Sequence, residues 1–472
     1  MSYIADIEAI TYKGMIDLNR IFDYTISYPK IAHPLSVKKM ELKAKYIAII
    51  YYLTEKHASN DTAVHFRLRS LMDILGVTDS MIDIPKSKSF EAYVASITRT
   101  RFSPFRFFTY RYILLYDCLF VLAIGNEELG NTICKELKLG LNKRYHSSLD
   151  NMKSKMYKEM IDFSDGKLIS KELYDTWVSV RNYIRTQRRW ITFSATMSAG
   201  KSTLINSIIG KQIAQTKKAA CTANIMTISC APLKTDSLSI QLSDSVKNLS
   251  AADNIAHMTK GLEVPTDICT YFLSPLTQRK ITLIDTPGVN SSQNPKHKEI
   301  TRLELSSNRT DILVYVIPVE SYGSDDDFNH LVYIKKKVNY SRILFVINMM
   351  DTCDTEEDSV AEIVSNLREH LISIGYNQPV ICPMSARAGG LIKQALYGRL
   401  ESENDKKQCI TLKNTFLNEE LSLSHYYPEV QRKPFVNDLS WLSDDHDLIW
   451  KAFINTGLPG FEELLCRISE EE

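Results

Sequence analysis

The sequence predicts an α/β domain built on a mainly parallel sheet and preceded by an all-α region. From about residue 188 onward, short β-branched runs alternate with helical segments, the texture of strands buried on both faces and joined by helices. Before that point, apolar residues recur at three- and four-residue intervals among charges, and strand-like alternation is nearly absent. The passage between the two textures is a short apolar run, a turn of small residues and then a helical run, which places a candidate ligand end on the sheet.

A chain of 472 residues suggests two or three domains. The expected plan is a helical region at 1–185, an α/β core at 186–398, and a closing region at 399–472 made of polar loop and a last helix. In the first region, Lys38–Glu55, Arg111–Ile124 and Glu172–Arg185 read as helices. Polar joints at Pro85–Ser89 and Phe163–Lys167 separate helices there. The most apolar stretch, Tyr112–Gly125, is shorter than the ~20 residues a spanning helix needs and contains Asp117, so a buried helix is predicted. Arg101–Arg111 mixes aromatics with three arginines and reads as a helix start packed in a core rather than as a membrane-surface contact.

In the second region, strands are expected at Trp190–Phe193, Ala223–Cys230, Leu238–Leu242, Ile268–Leu273, Ile281–Ile284, Ile312–Ile317, Ile343–Ile347 and Val380–Pro383. Helices are expected at Ser202–Ile209, Asp326–Lys337 and Val360–Ile374. Asp325–Asp327 is read as the N-terminal cap of a helix. Arg399–Asp447 reads as polar and irregular, and Gly460–Ile468 as helical.

Composition excludes several classes. There are 57 basic and 56 acidic side chains, a net charge of +1, so no global excess exists to grip a nucleic-acid backbone. Gly 17 and Pro 15 are too few for collagenous or low-complexity chains, and 10% aromatics argue against wholesale disorder. Nine scattered cysteines without CxxC pairing suit reduced thiols in the cytoplasm rather than a zinc site or a disulfide scaffold. Asp6 and Glu8 interrupt the first residues, where a signal peptide would place an apolar core.

The turn itself carries chemistry. Phe193–Thr203 (FSATMSAGKST) follows a predicted strand and opens a helix, the setting of a P-loop. Successive backbone N–H groups from Ala195 through Met197, Ser198, Ala199, Gly200, Lys201, Ser202 and Thr203 would form a concave anion nest at a helix N-terminus. Lys201 would reach the β- and γ-phosphates, and the Ser202 hydroxyl would ligate Mg²⁺. Ala195 stands where the consensus has Gly. Its methyl costs about 1 kcal/mol if φ must be positive and little otherwise, and it is read as tolerated.

Four further pieces lie downstream of the turn. Asp285, at the end of a strand in Asp285-Thr-Pro-Gly288, can hold a metal-bound water, and the Gly288 N–H can meet a γ-phosphate. Thr222, between the loop helix and the next strand, could complete the metal shell and orient the attacking water. Asn348-Met-Met-Asp351 ends another strand, and the Asp351 carboxylate can accept from N1–H and the 2-amino group of guanine, a pairing adenine cannot offer. The usual pattern there is [NT]KxD, and Met349 replaces its Lys. Finally, the backbone of Ser385 and Ala386 would close over the base, with Arg387 beside it. Lys201, Asp285, Asn348 and Ser385, separated by 84, 63 and 37 residues, each lie at the C-terminal end of a predicted strand. A nucleotide-binding domain is therefore predicted.

In these residues the chain resembles the bacterial dynamin-like GTPases. Ser198–Gly210 resembles that family's SAGKSTLINALLG stretch, Ala220–Ile225 its first switch, and Asp285–Ser291 with His297 and Ile300-Thr301 its DTPGLNS second switch. Asn455–Phe461 is similar to its last GTPase-domain helix, and no resemblance covers residues 1–180. The resemblance implies a P-loop GTPase fold and Mg²⁺–GTP hydrolysis stimulated when two such domains dimerise across their nucleotide faces. It implies that Lys201 and Ser202 hold phosphate and metal, that Thr222 positions water, and that Asp285 and Gly288 serve the second switch. It also implies a charge-compensating monovalent cation near Ser198. Val289 and Asn290 follow Gly288 where Ras-like enzymes place a catalytic Gln, so water must be ordered by Thr222 and backbone groups.

Few residues follow Gly398, so stalk helices of the kind that remodel membranes would come from the N-terminal helices or a partner chain. The expected location is the cytoplasm, with peripheral membrane contact left undecided. Two alternatives stand beside the hydrolase: a low-turnover GTP-binding switch that recruits other subunits, and an Era-like regulatory GTPase. The latter would need an appended basic RNA-binding domain, which the near-neutral charge disfavours.

Overall fold

The computed structural model describes residues 33–82, 111–141, 143–159, 169–214, 225–234, 238–242, 245–249, 266–289, 296–307, 309–321, 324–353, 359–431, 439–443 and 445–470. The chain divides into two compact units. One holds the described residues of 33–186 with 232–234, and the other holds those of 187–231 and from 238 onward.

The first unit is helical: α1 Met40–Ala58, α2 Thr62–Leu75, α3 Arg111–Ala123, α4 Glu127–Leu139, α5 His146–Lys158 and α6 Lys171–Arg185. Asp61, Asn126 and Ser170 cap α2, α4 and α6 by accepting from backbone N–H groups of the first turn. Helix α3 is buried from Ile113 to its end, as its all-round apolar sequence requires. Its one carboxylate, Asp117, is satisfied internally, accepting from Tyr46 at 2.6 Å and from His33 Nε2 at 3.0 Å. The aromatic run Arg101–Tyr110 and the joints at 85–89 and 163–167 lie outside the described residues.

The second unit is built on β1 Arg189–Ala195, α7 Lys201–Ile209, β2 Met226–Cys230, β3 Leu238–Leu242, β4 Ser245–Leu249, β5 Thr266–Thr270, β6 Ile281–Asp285, α8 Lys296–Leu305, β7 Ile312–Pro318, α9 Asp325–Lys337, β8 Arg342–Asn348, α10 Val360–Ile374, β9 Val380–Pro383, α11 Ala386–Leu396, α12 Glu403–Thr415, α13 His446–Asn455 and α14 Leu458–Glu470. The strands form one sheet in the order β4-β3-β5-β2-β6-β1-β7-β8-β9. Strands β6, β1, β7, β8 and β9 run parallel, while β2 and β5 oppose them and β3 pairs antiparallel with both β4 and β5. The fold is the predicted α/β sheet flanked by helices, with an antiparallel side that the strand–helix rhythm did not announce. Strand β4, absent from the expected list, belongs to that side.

Two expectations need correction. The described residues of 399–447 are not irregular throughout: α12 starts from a Ser402 cap, and Cys409, Phe416, Leu421, Leu423, Leu439 and Leu442 are buried in the core that also covers the sheet. The polar sequence hides this because widely spaced single apolar residues supply the packing. The cap of α9 is Ser324 rather than the acidic triplet, its hydroxyl accepting from the Asp327 N–H at 3.4 Å.

The sheet also buries a titratable group. Asp267 on β5 accepts a hydrogen bond from the Thr227 hydroxyl on β2. Burial pushes its carboxyl up to about 7, with the Arg309 guanidinium opposing and Glu304 adding to the shift. The unfolded value is about 3.9. The folded form therefore keeps its proton where the unfolded form has lost it, and this contribution to stability fades as pH rises through 7. Asp267→Asn, which mimics the protonated form, is expected to gain on the wild type between pH 4 and 7 by up to ~1.4 kcal/mol per unit, with no further gain above. Denaturant melts across that range check it, and a pH-independent difference contradicts it.

Candidate nucleotide-binding site

The predicted pieces converge at the C-terminal ends of β1, β6, β8 and β9. Strand β1 runs into its turn at Ala195, which stays in register with Val316 of β7. Its φ is not among the positive values, so the methyl in place of the consensus glycine carries no left-handed strain. Positive φ falls instead at Ser198 (63°) and Gly200 (78°). At Gly200 a side chain is excluded twice over: a Cβ would also sit 2.3 Å from Asn348 Nδ2. Met197 and Ser198 form the exposed tip of the turn.

Behind the turn, Lys201 opens α7, and its ammonium forms a buried ion pair with Asp285, the last residue of β6. Lys201 is 7% exposed and Asp285 fully buried. The Ser202 hydroxyl donates to the other carboxylate oxygen of Asp285 at 3.2 Å. An ammonium, a hydroxyl and a carboxylate thus share one spot. The hydroxyl and carboxylate are hard oxygen donors of the kind Mg²⁺ takes, so the residues present fit that ion.

The segment after Asp285 is tied to the same turn. The Thr286 hydroxyl donates to the Phe193 carbonyl at 2.7 Å, and the Val289 N–H reaches the Ala195 carbonyl at 3.4 Å. Gly288 lies against Met197, whose Cγ would be 3.1 Å from a Cβ there. Thr222 and Asn290 lie outside the described residues.

On the other side Asn348 ends β8 and joins two loops. Its Nδ2 donates to the Ala199 carbonyl of the turn at 3.0 Å, and its Oδ1 accepts from the Ala386 N–H at 3.0 Å. Met349 takes a left-handed conformation (φ 67°) that lays its methyl beside Gly200. It fills the place of a lysine stem without supplying an ammonium. Asp351 follows, and the Ser385 hydroxyl donates to it at 2.5 Å, which orients the carboxylate. Ser385 also caps α11 by accepting from the Ala388 N–H at 3.1 Å. Lys201, Ser202, Asp285, Gly288, Asn348, Asp351, Ser385 and Ala386 are therefore gathered around the turn. Arg387 points away, donating to Gln408 on α12 at 2.6 Å.

Some supports were not read from the sequence. The Ser385 N–H donates to the Thr456 carbonyl at 3.0 Å, so the C-terminal segment braces the loop beside Asp351. Asp327 accepts from the Tyr315 hydroxyl at 2.8 Å and from Ser324 at 3.1 Å. The hydroxyl of Thr196 in the turn faces the same carboxylate, whose affinity for a proton is raised by burial. One helical turn on, His330 sits 3.0 Å from the Ser194 hydroxyl, and burial pushes its imidazole down to about 3, so it is neutral there. Only the acidic triplet hints at these contacts, and in sequence it suggests a cap instead. Among the described residues no cluster of three or more His, Cys, Asp or Glu could hold a metal, and no helix is long and apolar enough to cross a membrane.

The profile of the Dynamin family matches residues 191–350. Dynamin-like protein A of Bacillus subtilis is 28% identical over 141 residues, 29% of this chain and 11% of that protein. An uncharacterised protein encoded in the xynA 3′ region of Caldicellulosiruptor is 24% identical over 257 residues, 50% of this chain and 57% of that one. A solved oligomerised bacterial dynamin pair, described as sensing and tethering membranes over long range, aligns with a TM-score of 0.36 at 13% identity, over 82% of this chain and 58% of its own. The chain thus spans less than two thirds of each of these relatives. The matched segment contains the phosphate turn, Asp285, Gly288 and Asn348, and over residues 191–350 the chain is similar to the Dynamin family.

Proposed function

We propose that the chain binds Mg²⁺–GTP in this site and hydrolyses it, and that it self-associates across the nucleotide face as it does so. The observation that carries the reading is Asn348, whose two amide atoms hold the phosphate turn and the Ser385 loop together. That is the arrangement a site needs to grip the triphosphate and the base of one molecule.

In this reading the backbone N–H groups of residues 196–202 and the Lys201 ammonium bind and orient the phosphates. Ser202 and Asp285 hold Mg²⁺, which supplies charge neutralisation for phosphoryl transfer when bound. Binding requires the Lys201–Asp285 pair to part, the ammonium turning to phosphate. Asp351, fixed by Ser385, selects guanine by accepting two N–H bonds. Val289 and Asn290, not Gln, directly follow Gly288, so the attacking water is ordered by the Thr222 hydroxyl and backbone groups, and positioning carries the catalysis. Ser198, exposed at the tip, is suited to a monovalent cation and to a second domain.

Two measurements test the reading. Phosphate release per molecule is expected to rise with protein concentration. A flat profile with slow release supports the alternative, a recruiting switch of low turnover, for which Met349 in place of Lys is the favouring observation. Release in Na⁺, K⁺ and a bulky organic cation is expected to differ, and equal rates would remove the cation from Ser198.

A further inference from the structure

We infer that Lys393 is a positioning residue that sets the spacing between the phosphate half and the base half of the nucleotide site. The inference rests on the proposed reading of that site. Helix α7 starts at the phosphate turn with Lys201, and α11 starts at the base loop with its Ser385 cap. Two ties join the helices, both at the last turn of α7 and two turns apart along α11. Near the start of α11, the Ser207 hydroxyl of α7 donates to the Ala386 carbonyl at 2.5 Å. The approach is so close that a Cβ on Gly390 would lie 2.5 Å from Ser207 Oγ.

Two turns along α11, the Lys393 ammonium donates to the Ser207 carbonyl at 2.7 Å and to the Ile208 carbonyl at 3.3 Å. These belong to the last turn of α7, where carbonyls lack helical partners and the helix dipole favours a cation. The same ammonium pairs with Glu462 of α14, and the two residues are 2% and 3% exposed. A buried ion pair is a weak source of stability, because desolvation offsets the attraction. It is a strong source of register: sliding α11 along α7 would strand a desolvated charge. The phosphate and base subsites move with these two helices, so the register is the distance between the subsites.

A site that holds two parts of one ligand gains affinity for the joined molecule over its parts only when the subsites match the ligand's own span. The experiment therefore titrates the full-length chain with Mg²⁺–GDP, with Mg²⁺–tripolyphosphate and with guanosine. In Lys393→Met, tripolyphosphate and guanosine are expected to bind as to the wild type within about twofold, while GDP weakens about tenfold or more, a change comparable to losing one charged hydrogen bond. Equal weakening toward all three probes would assign Lys393 a merely structural role and overturn the inference, as would unchanged GDP affinity. If Lys393→Met does not fold, Ser207→Ala keeps the ammonium ties and removes the hydroxyl's contacts with the Ala386 carbonyl and, within α7, with the Thr203 carbonyl. The same selective loss, about threefold, is expected there by the strength of a neutral hydrogen bond, and unchanged GDP affinity overturns the inference. Wild-type protein that binds none of the probes refutes the nucleotide site itself, a result distinct from these.

Discussion

Lys201→Ala is expected to lower phosphate release from GTP by at least about a hundredfold, since it removes the ammonium that the proposed reading turns toward the transferring phosphate. It should also weaken the fold. Asp285 is fully buried and takes its charge balance from Lys201. Leaving a buried carboxylate unpaired costs about 3 kcal/mol or more. Added Mg²⁺ should restore part of that loss, because the divalent ion can take the place of the ammonium beside Asp285 and Ser202. The double variant Lys201→Met with Asp285→Asn removes both charges and is expected to regain stability without regaining turnover. Thermal melts with Mg²⁺ or a chelator, beside a phosphate-release assay, separate the two effects. A stable Lys201→Ala protein would show that the ion pair is not as buried as described.

Asp351→Asn is expected to change which base is accepted. An ionised carboxylate accepts from N1–H and the 2-amino group of guanine, whereas an amide can donate to the 2-oxo group of xanthine. Two charge-assisted bonds are lost toward GTP, so affinity should fall about a hundredfold or more. Xanthosine triphosphate should then compete better than GTP. The Ser385 hydroxyl, which donates to Asp351 at 2.5 Å, can still donate to the amide oxygen, so the new side chain keeps its orientation. Competition of GTP, its xanthosine counterpart and ATP against a fluorescent nucleotide measures the change. An unaltered ranking would remove Asp351 from base selection.

Much of this site was legible because it depends on local chemistry. The turn from Ala195 to Thr203, the strand ends at Asp285 and Asn348, and the helix start at Ser385 are each marked by short-range sequence signals: β-branched runs, a left-handed glycine at Gly200, a cap. The parallel strands β1, β6, β7, β8 and β9 were legible for the same reason, since strands buried on both faces are nearly unbroken apolar runs. What stayed hidden is long-range. Nothing near Thr456 in the sequence says that its carbonyl receives the Ser385 N–H, and nothing near Lys393 says that it caps a helix 185 residues earlier. Helix α12 is hidden because a polar surface face outweighs Cys409, its one buried apolar residue, which no periodic stripe announces. Asp327 was misread because an acidic triplet after a serine suits a helix start, while its inward turn toward Tyr315 is decided by packing.

The central claim is that one site grips a triphosphate through Lys201 and a guanine through Asp351. Calorimetric titration of the full-length chain with a non-hydrolysable GTP analogue and its adenosine counterpart, each with Mg²⁺, tests it most directly. The account predicts saturable one-to-one binding of the guanosine compound, at least about tenfold tighter than the adenosine one, and loss of that binding in Lys201→Ala. Equal affinity for the two compounds, or full binding by Lys201→Ala, would contradict it.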